Sequence, residues 1–103
     1  MSSCFEIETV TPYKNGFGLI GRCIIGPIRL GDSFVILISA PVSPSDNCAP
    51  HSIREDIRKI NLIVQEIQYF NHSIEELQSN HAGGLYVTGL GADLLLPGFH
   101  IQT

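Results

Sequence analysis

At 103 residues the chain has room for one modest hydrophobic core. Its 44% hydrophobic and 16% charged residues are those of a folded chain and exclude an intrinsically disordered one. A formal net charge of −4 excludes broad, sequence-blind phosphate binding, although Arg54, Arg58 and Lys59, half of the six basic residues, leave room for a local patch.

The first ten residues, MSSCFEIETV, place no basic segment ahead of an apolar run, which predicts no signal peptide. From Phe5 to Val10 apolar and polar side chains alternate with period two, a half-exposed strand that Thr11-Pro12 is predicted to end. Asn15-Gly16 is a turn signal because both residues tolerate positive φ. Phe17 to Ile25 is a second strand, with Leu19, Gly21, Cys23 and Ile25 on one face and Ile20, Arg22 and Ile24 on the other. Gly18 and Gly21 inside it predict a bulge, a bend or the close approach of another backbone. Gly26-Pro27 and Gly31-Asp32 bracket a brief extended piece, Ile28 to Leu30.

Ser33 to Ser39 is nearly continuously apolar and predicts a well-buried strand. No such run approaches the length needed to cross a bilayer, so the reading is cytoplasmic with no membrane contact. Ala40 to His51 is rich in Pro and Ser and carries Asp46 and Asn47, which predicts a long loop suited to partner recognition. Ser52 with Glu55 three residues on predicts a capped helical turn over Ile53 to Arg58. Ile60 to Phe70 is the longest strand candidate. Its apolar spacing slips from two to three after Val64, which predicts a bulge near Gln65-Glu66. Ser73 to Leu77 reads as one helical turn capped by Ser73. Strands are predicted again at Leu85 to Thr88 and Phe99 to Gln102, with glycine turns between them. The sum is an all-β fold: a small closed six- to seven-stranded β-barrel, one domain over 1–103 with an insertion loop at about 40–58.

The order of these pieces resembles a known family. GRCIIGPIRLGDSFVIL, from Gly21 to Leu37, resembles the glycine-arginine to glycine-aspartate strand pair of the barrel that forms domain II of translational GTPases such as elongation factor Tu. VQEIQYFN, then SIEELQSNHAGGLYVTGL and GADLLLPGFHI, resemble that barrel's following sections up to its closing strand. No G-x-x-x-x-G-K-[ST] phosphate loop is present, so the resemblance is to the barrel freestanding, without its GTPase domain. In the family this barrel helps to contact the aminoacylated end of tRNA or the ribosome. The resemblance therefore implies a binding module of the translation machinery. Fold likeness does not transfer a function by itself.

No residue pattern calls for catalysis, a cofactor or a metal. Gly16-x-Gly18 and Gly89-x-Gly91 lack the third glycine of a nucleotide loop and read as turns. His51, His72, His81 and His100 show neither an i,i+4 pair nor ligand spacing to a cysteine. His72-Ser73 with Asp46 or Asp93 would need a geometry that sequence adjacency does not supply. Glu75-Glu76 suits a helix start better than acid-base work, and Arg22 reads as a surface side chain with a packed stem. Cys4, Cys23 and Cys48 read as free thiols of a reducing compartment, with Cys23 in the core.

The candidate contact residues are therefore Arg54, Arg58 and Lys59, with Asp46 and Asn47 in the loop before them. They predict a protein partner, with RNA or the ribosome next and DNA excluded. Tyr13, Phe17, Tyr69, Phe70, Tyr86 and Phe99 read as core or rim aromatics, with no stacking platform beside positive charge visible. A second reading, from a different class, is a small acidic protein that neutralises one specific partner in the manner of a toxin-immunity pair.

Overall fold

The computed structural model describes residues 3–39 and 56–103. In chain order the strands are β1 (Cys4–Tyr13), β2 (Gly16–Ile25), β3 (Ile28–Arg29), β4 (Ser33–Ser39), β5 (Asp56–Tyr69), β6 (His72–Ile74), β7 (Glu76–Leu77), β8 (Ala82–Leu90) and β9 (His100–Gln102). A single 3-10 turn, Ala92–Leu94, lies between β8 and β9. The strands run in the order β4-β9-β1-β2-β8-β5, and β5 pairs back onto β4, which closes a six-strand barrel. β6 extends β5 as a short hairpin, while β3 and β7 form a separate two-stranded ribbon. Among the described residues no helix is long and apolar enough to cross a membrane.

Closure follows from period-two patterning. Phe5, Ile7, Leu19, Phe34, Leu37, Leu62, Val64, Ile67, Leu85, Val87 and Ile101 all point inward and are buried. Ile28 and Leu77 face each other across the ribbon and join the same core, so β3 and β7 are held against the barrel by apolar burial. Each such side chain contributes about 1.5–3 kcal/mol relative to leaving it in water.

β5 does most to close the ring. Its first half pairs with β4 and its second with β6, while β8 lies along it from Asn61 to Gln68. The bulge predicted near Gln65-Glu66 is present: Val64 opposes Val87 and Glu66 opposes Tyr86, leaving Gln65 as the extra residue. That one-residue slip keeps Ile67 pointing inward after Val64. Gly21 is a site of close approach, because a Cβ there would run into the Glu6 carbonyl of β1. The bulges of this strand pair fall at Ile24 of β2 and Glu8 of β1, beside Gly21 on either side.

Several expectations are corrected. β1 does not end at Thr11-Pro12 but continues to Tyr13, with Pro12 opposite Phe17. β9 accompanies β1 only from Cys4 to Glu6, so Pro12 lies on an open edge where a missing N–H costs little. The hairpin loop is Lys14-Asn15, one residue earlier than expected, with Lys14 at φ 51. β4 is not buried on both faces. Phe34 and Leu37 are inside, but Val35 is 41% exposed, because the outer wall of a single barrel stays wet. The helical turn expected at Ser73 to Leu77 is strand, β6 and β7. The two-residue turn Phe70-Asn71 reverses the chain at once, so backbone pairing with β5 replaces a helical turn. Likewise Asp56 to Arg58 is not helical but opens β5, paired with Leu37 to Ser39 of β4. The rest of that expected turn, Ser52 to Glu55, and the loop from Ala40 lie outside the described residues.

Candidate functional site

Of the residues singled out in the sequence, Asp46, Asn47 and Arg54 lie outside the described residues, and only Arg58 and Lys59 can be placed. They are neighbours on β5, and strand geometry sends them to opposite sides. Lys59 is on the outer wall, opposite Ile36 of β4. Arg58 shares the inward parity of Ile60 and lies at the barrel mouth, where it lines a cavity of about 290 Å³ with Leu37, Asp93 and Phe99. The two side chains therefore do not form one basic face.

The structure shows a different concave site on the outside of the barrel, crossing β1, β2, β8 and β5 in register. Thr11 opposes Gly18, Gly18 opposes Tyr86, and Tyr86 opposes Glu66. One step along, Ile20 opposes Gly84 and Gly84 opposes Gln68. The outward-facing positions at the centre of this lattice are the two glycines, so the wall is indented there. The result is a groove of about 200 Å³, lined mostly by apolar atoms.

Neither glycine is required by close packing. A Cβ at Gly18 would meet Thr11 Oγ1 at 3.4 Å, and one at Gly84 would meet the Leu19 carbonyl at 3.7 Å, both ordinary van der Waals distances. Neither residue has a positive φ. An alanine would fit the backbone at either place and would also lose less conformational entropy on folding. What a side chain would remove is the groove.

The walls are built from side chains that hold one another. Tyr13 and Tyr86 meet edge to face with ring centroids 5.1 Å apart. The ammonium of Lys14 lies over both rings, 5.2 and 5.5 Å from their centroids. Lys14 Nζ is also 3.8 Å from Glu66 Oε1, while Gln68 Nε2 donates to Glu66 Oε2 at 2.8 Å. The Asn15 backbone N–H donates to the Tyr86 hydroxyl at 3.3 Å, which fixes the ring to the hairpin turn. The rim thus offers two aromatic edges, one cation, one carboxylate and one amide around an apolar floor.

Such an arrangement can bind a flat or short apolar group and orient it by polar contacts at its edge. The sequence reading missed it because Tyr13 and Tyr86 are 73 residues apart and Lys14 joins them only once β1 and β8 flank β2. One signal was present in Gly18, set within an apolar strand pattern with no turn to make, whereas Gly84 read as a turn residue ahead of Leu85 and the strand in fact begins at Ala82. Burial pushes the thiols of Cys4 and Cys23 upward, so neither presents a thiolate to solvent. Among the described residues no group of three or more His, Cys, Asp or Glu side chains converges as a metal site would.

No protein-family model matches this chain, and no curated protein matches it. Solved structures do. Translation elongation factor SelB from Methanococcus maripaludis, both in its apo form and in complex with the GTP analogue GppNHp, superposes with a TM-score of 0.70 at 17% sequence identity. Each match covers 100% of this chain and 19% of the other, so the chain spans about a fifth of the length of those structures. The likeness shows the fold: a closed six-strand barrel of the elongation factor Tu domain II type, whose sheet β6 extends and beside which the β3-β7 ribbon lies.

Proposed function

We propose that this chain is a non-catalytic, cytoplasmic binding module, one unit over residues 1–103, that engages the translation machinery through its outer groove. The observation that carries the reading is the pair Gly18 and Gly84, which keep the groove open although the barrel has room for a side chain at both. The elongation-factor fold supports the choice of partner, because a barrel of this type is part of an elongation factor in the matched structures. A ligand such as an RNA end or a short segment of a ribosomal or factor protein would lay a flat or apolar group on the glycine floor. Tyr13 and Tyr86 would flank that group and Lys14 would take its negative charge. Asp46, Asn47, Arg54, Arg58 and Lys59 are proposed as further contact residues, with Arg58 and Lys59 serving opposite sides of β5.

The test is affinity capture of the tagged chain from its own cell lysate, with and without ribonuclease, beside the variant Gly18→Leu. Ribosomal proteins or translation factors that are retained by the wild type and lost with Gly18→Leu support the reading. Their loss on ribonuclease treatment points to RNA in the groove. A single stoichiometric protein unrelated to translation, indifferent to both ribonuclease and Gly18→Leu, overturns it in favour of the acidic neutraliser.

A further inference from the structure

The tip of the β5-β6 hairpin carries a feature that neither the fold nor the groove uses. Tyr69 pairs with His72, so Phe70 and Asn71 are the two loop residues, at φ 51 and 64. Two positive φ values in a two-residue loop suit the right-handed twist of the flanking strands, and the residues that adopt them cheaply are Asn, Asp and Gly. Asn71 fits that rule. Phe70 does not, since a bulky aromatic in the left-handed region is strained.

Nor does the ring recover that cost by burial. Phe70 is 78% exposed, the most exposed of the large hydrophobic residues described. It is nonetheless held in place. Its ring meets Tyr69 edge to face at 4.5 Å between centroids, and Tyr69 in turn stacks on His81 at 5.3 Å with 15° between planes. The phenyl ring is thus a knob held by ring contacts at the hairpin tip, and local strain of this kind clusters at sites of contact.

We infer that Phe70 is a protein-docking anchor that inserts into an apolar pocket with a basic rim on a partner protein. The charges choose protein over nucleic acid. From Ile67 to Ile74 there is no Lys, Arg, Asp or Glu, so the tip offers no fixed cation to a phosphate backbone. The net charge of −4 repels polyanions and favours a basic surface around the pocket. A single exposed aromatic inserted in a desolvated pocket is the usual form of an interface hot spot. This inference does not rest on the translation reading.

The test combines stability with site-specific cross-linking in the full-length chain. Phe70→Asn places a residue at home in this turn, so it is expected to leave the unfolding midpoint unchanged or raise it by up to about 5 °C. A fall of more than about 3 °C shows a structural ring and overturns the inference. Separately, p-benzoylphenylalanine in place of Phe70 is photolysed in lysate. The expected product is one defined protein adduct that resists ribonuclease, whose cross-linked peptide carries Lys or Arg beside apolar residues. Excess wild-type chain competes it away and excess Phe70→Asn chain does not. A ribonuclease-sensitive adduct, an adduct of the chain with itself, or equal competition by both chains overturns the proposal.

Discussion

Gly21 and Gly18 sit three residues apart on the same strand, and the structure treats them oppositely. At Gly21 the β1 backbone closes in, so that a single added carbon would overlap the Glu6 carbonyl. At Gly18 the nearest atom to such a carbon is a threonine hydroxyl at ordinary contact distance. Gly89 resembles Gly21, with the Asn61 carbonyl in the way and φ at 134, while Gly84 resembles Gly18. One pair of glycines is needed to close a barrel. The other pair leaves a hollow in its outer wall. What stands where the side chain would be therefore separates a glycine that the fold requires from one that it does not.

Four substitutions sharpen that contrast. Gly89→Ala carries both a backbone clash and a left-handed φ, and is expected to cost about 3–5 kcal/mol in urea unfolding. Gly21→Ala carries the clash alone and is expected to cost about 2–3 kcal/mol. Gly18→Ala and Gly84→Ala are expected to change stability by no more than about 1 kcal/mol, in the stabilising direction, because alanine leaves the unfolded chain less conformational entropy to lose on folding. The same two variants should weaken capture of the groove's ligand. Loss of folding in either would return these glycines to the structural class and remove the groove as a site.

Much of this barrel was legible because period-two patterning survives in a closed sheet. Leu19 and Cys23, or Leu62 and Val64, declare an inner face by spacing alone, and the slip from Val64 to Ile67 announced its bulge. Ser73 misled because a serine ahead of Glu75-Glu76 fits a helix cap, while the hairpin turn that overrides it rests on Phe70, a residue with no turn propensity. Arg58 and Lys59 misled because adjacency in a strand means opposite faces. The groove was least legible. It is assembled from four strands, and its central feature is the lack of two side chains.

A smaller effect probes the groove's rim. Lys14→Met keeps an apolar stem over Tyr13 and Tyr86 but removes the charge that spans their rings and Glu66. Because the ammonium is largely exposed, stability is expected to fall by no more than about 1 kcal/mol. Ligand capture should fall several-fold and lose part of its salt dependence. A variant that binds as well as wild type would show that the rim cation serves the hairpin alone.

The smallest effect separates the groove from the ribbon on β3 and β7. There Arg29 and Glu76 oppose each other, and the guanidinium Nε–H donates to Glu76 Oε2. That hydrogen bond holds the Glu76 carboxyl below the ordinary carboxylate range, and a second from Gln78 adds to it. A carboxyl lowered by folding binds its proton more weakly in the folded chain than in the unfolded one. Its contribution is therefore present above the ordinary carboxylate value and is lost as pH falls through the lowered one. Both side chains are in water, so the loss is slight and screened by salt. Thermal unfolding of wild type and Glu76→Gln, followed from neutral pH down through the carboxylate range, should show the wild type ahead at neutral pH and the two converging in acid. Groove binding at neutral pH should be equal in both chains. Curves that stay parallel throughout would mean that the pair adds no pH-dependent stability, and a binding difference would mean that ribbon and groove are coupled.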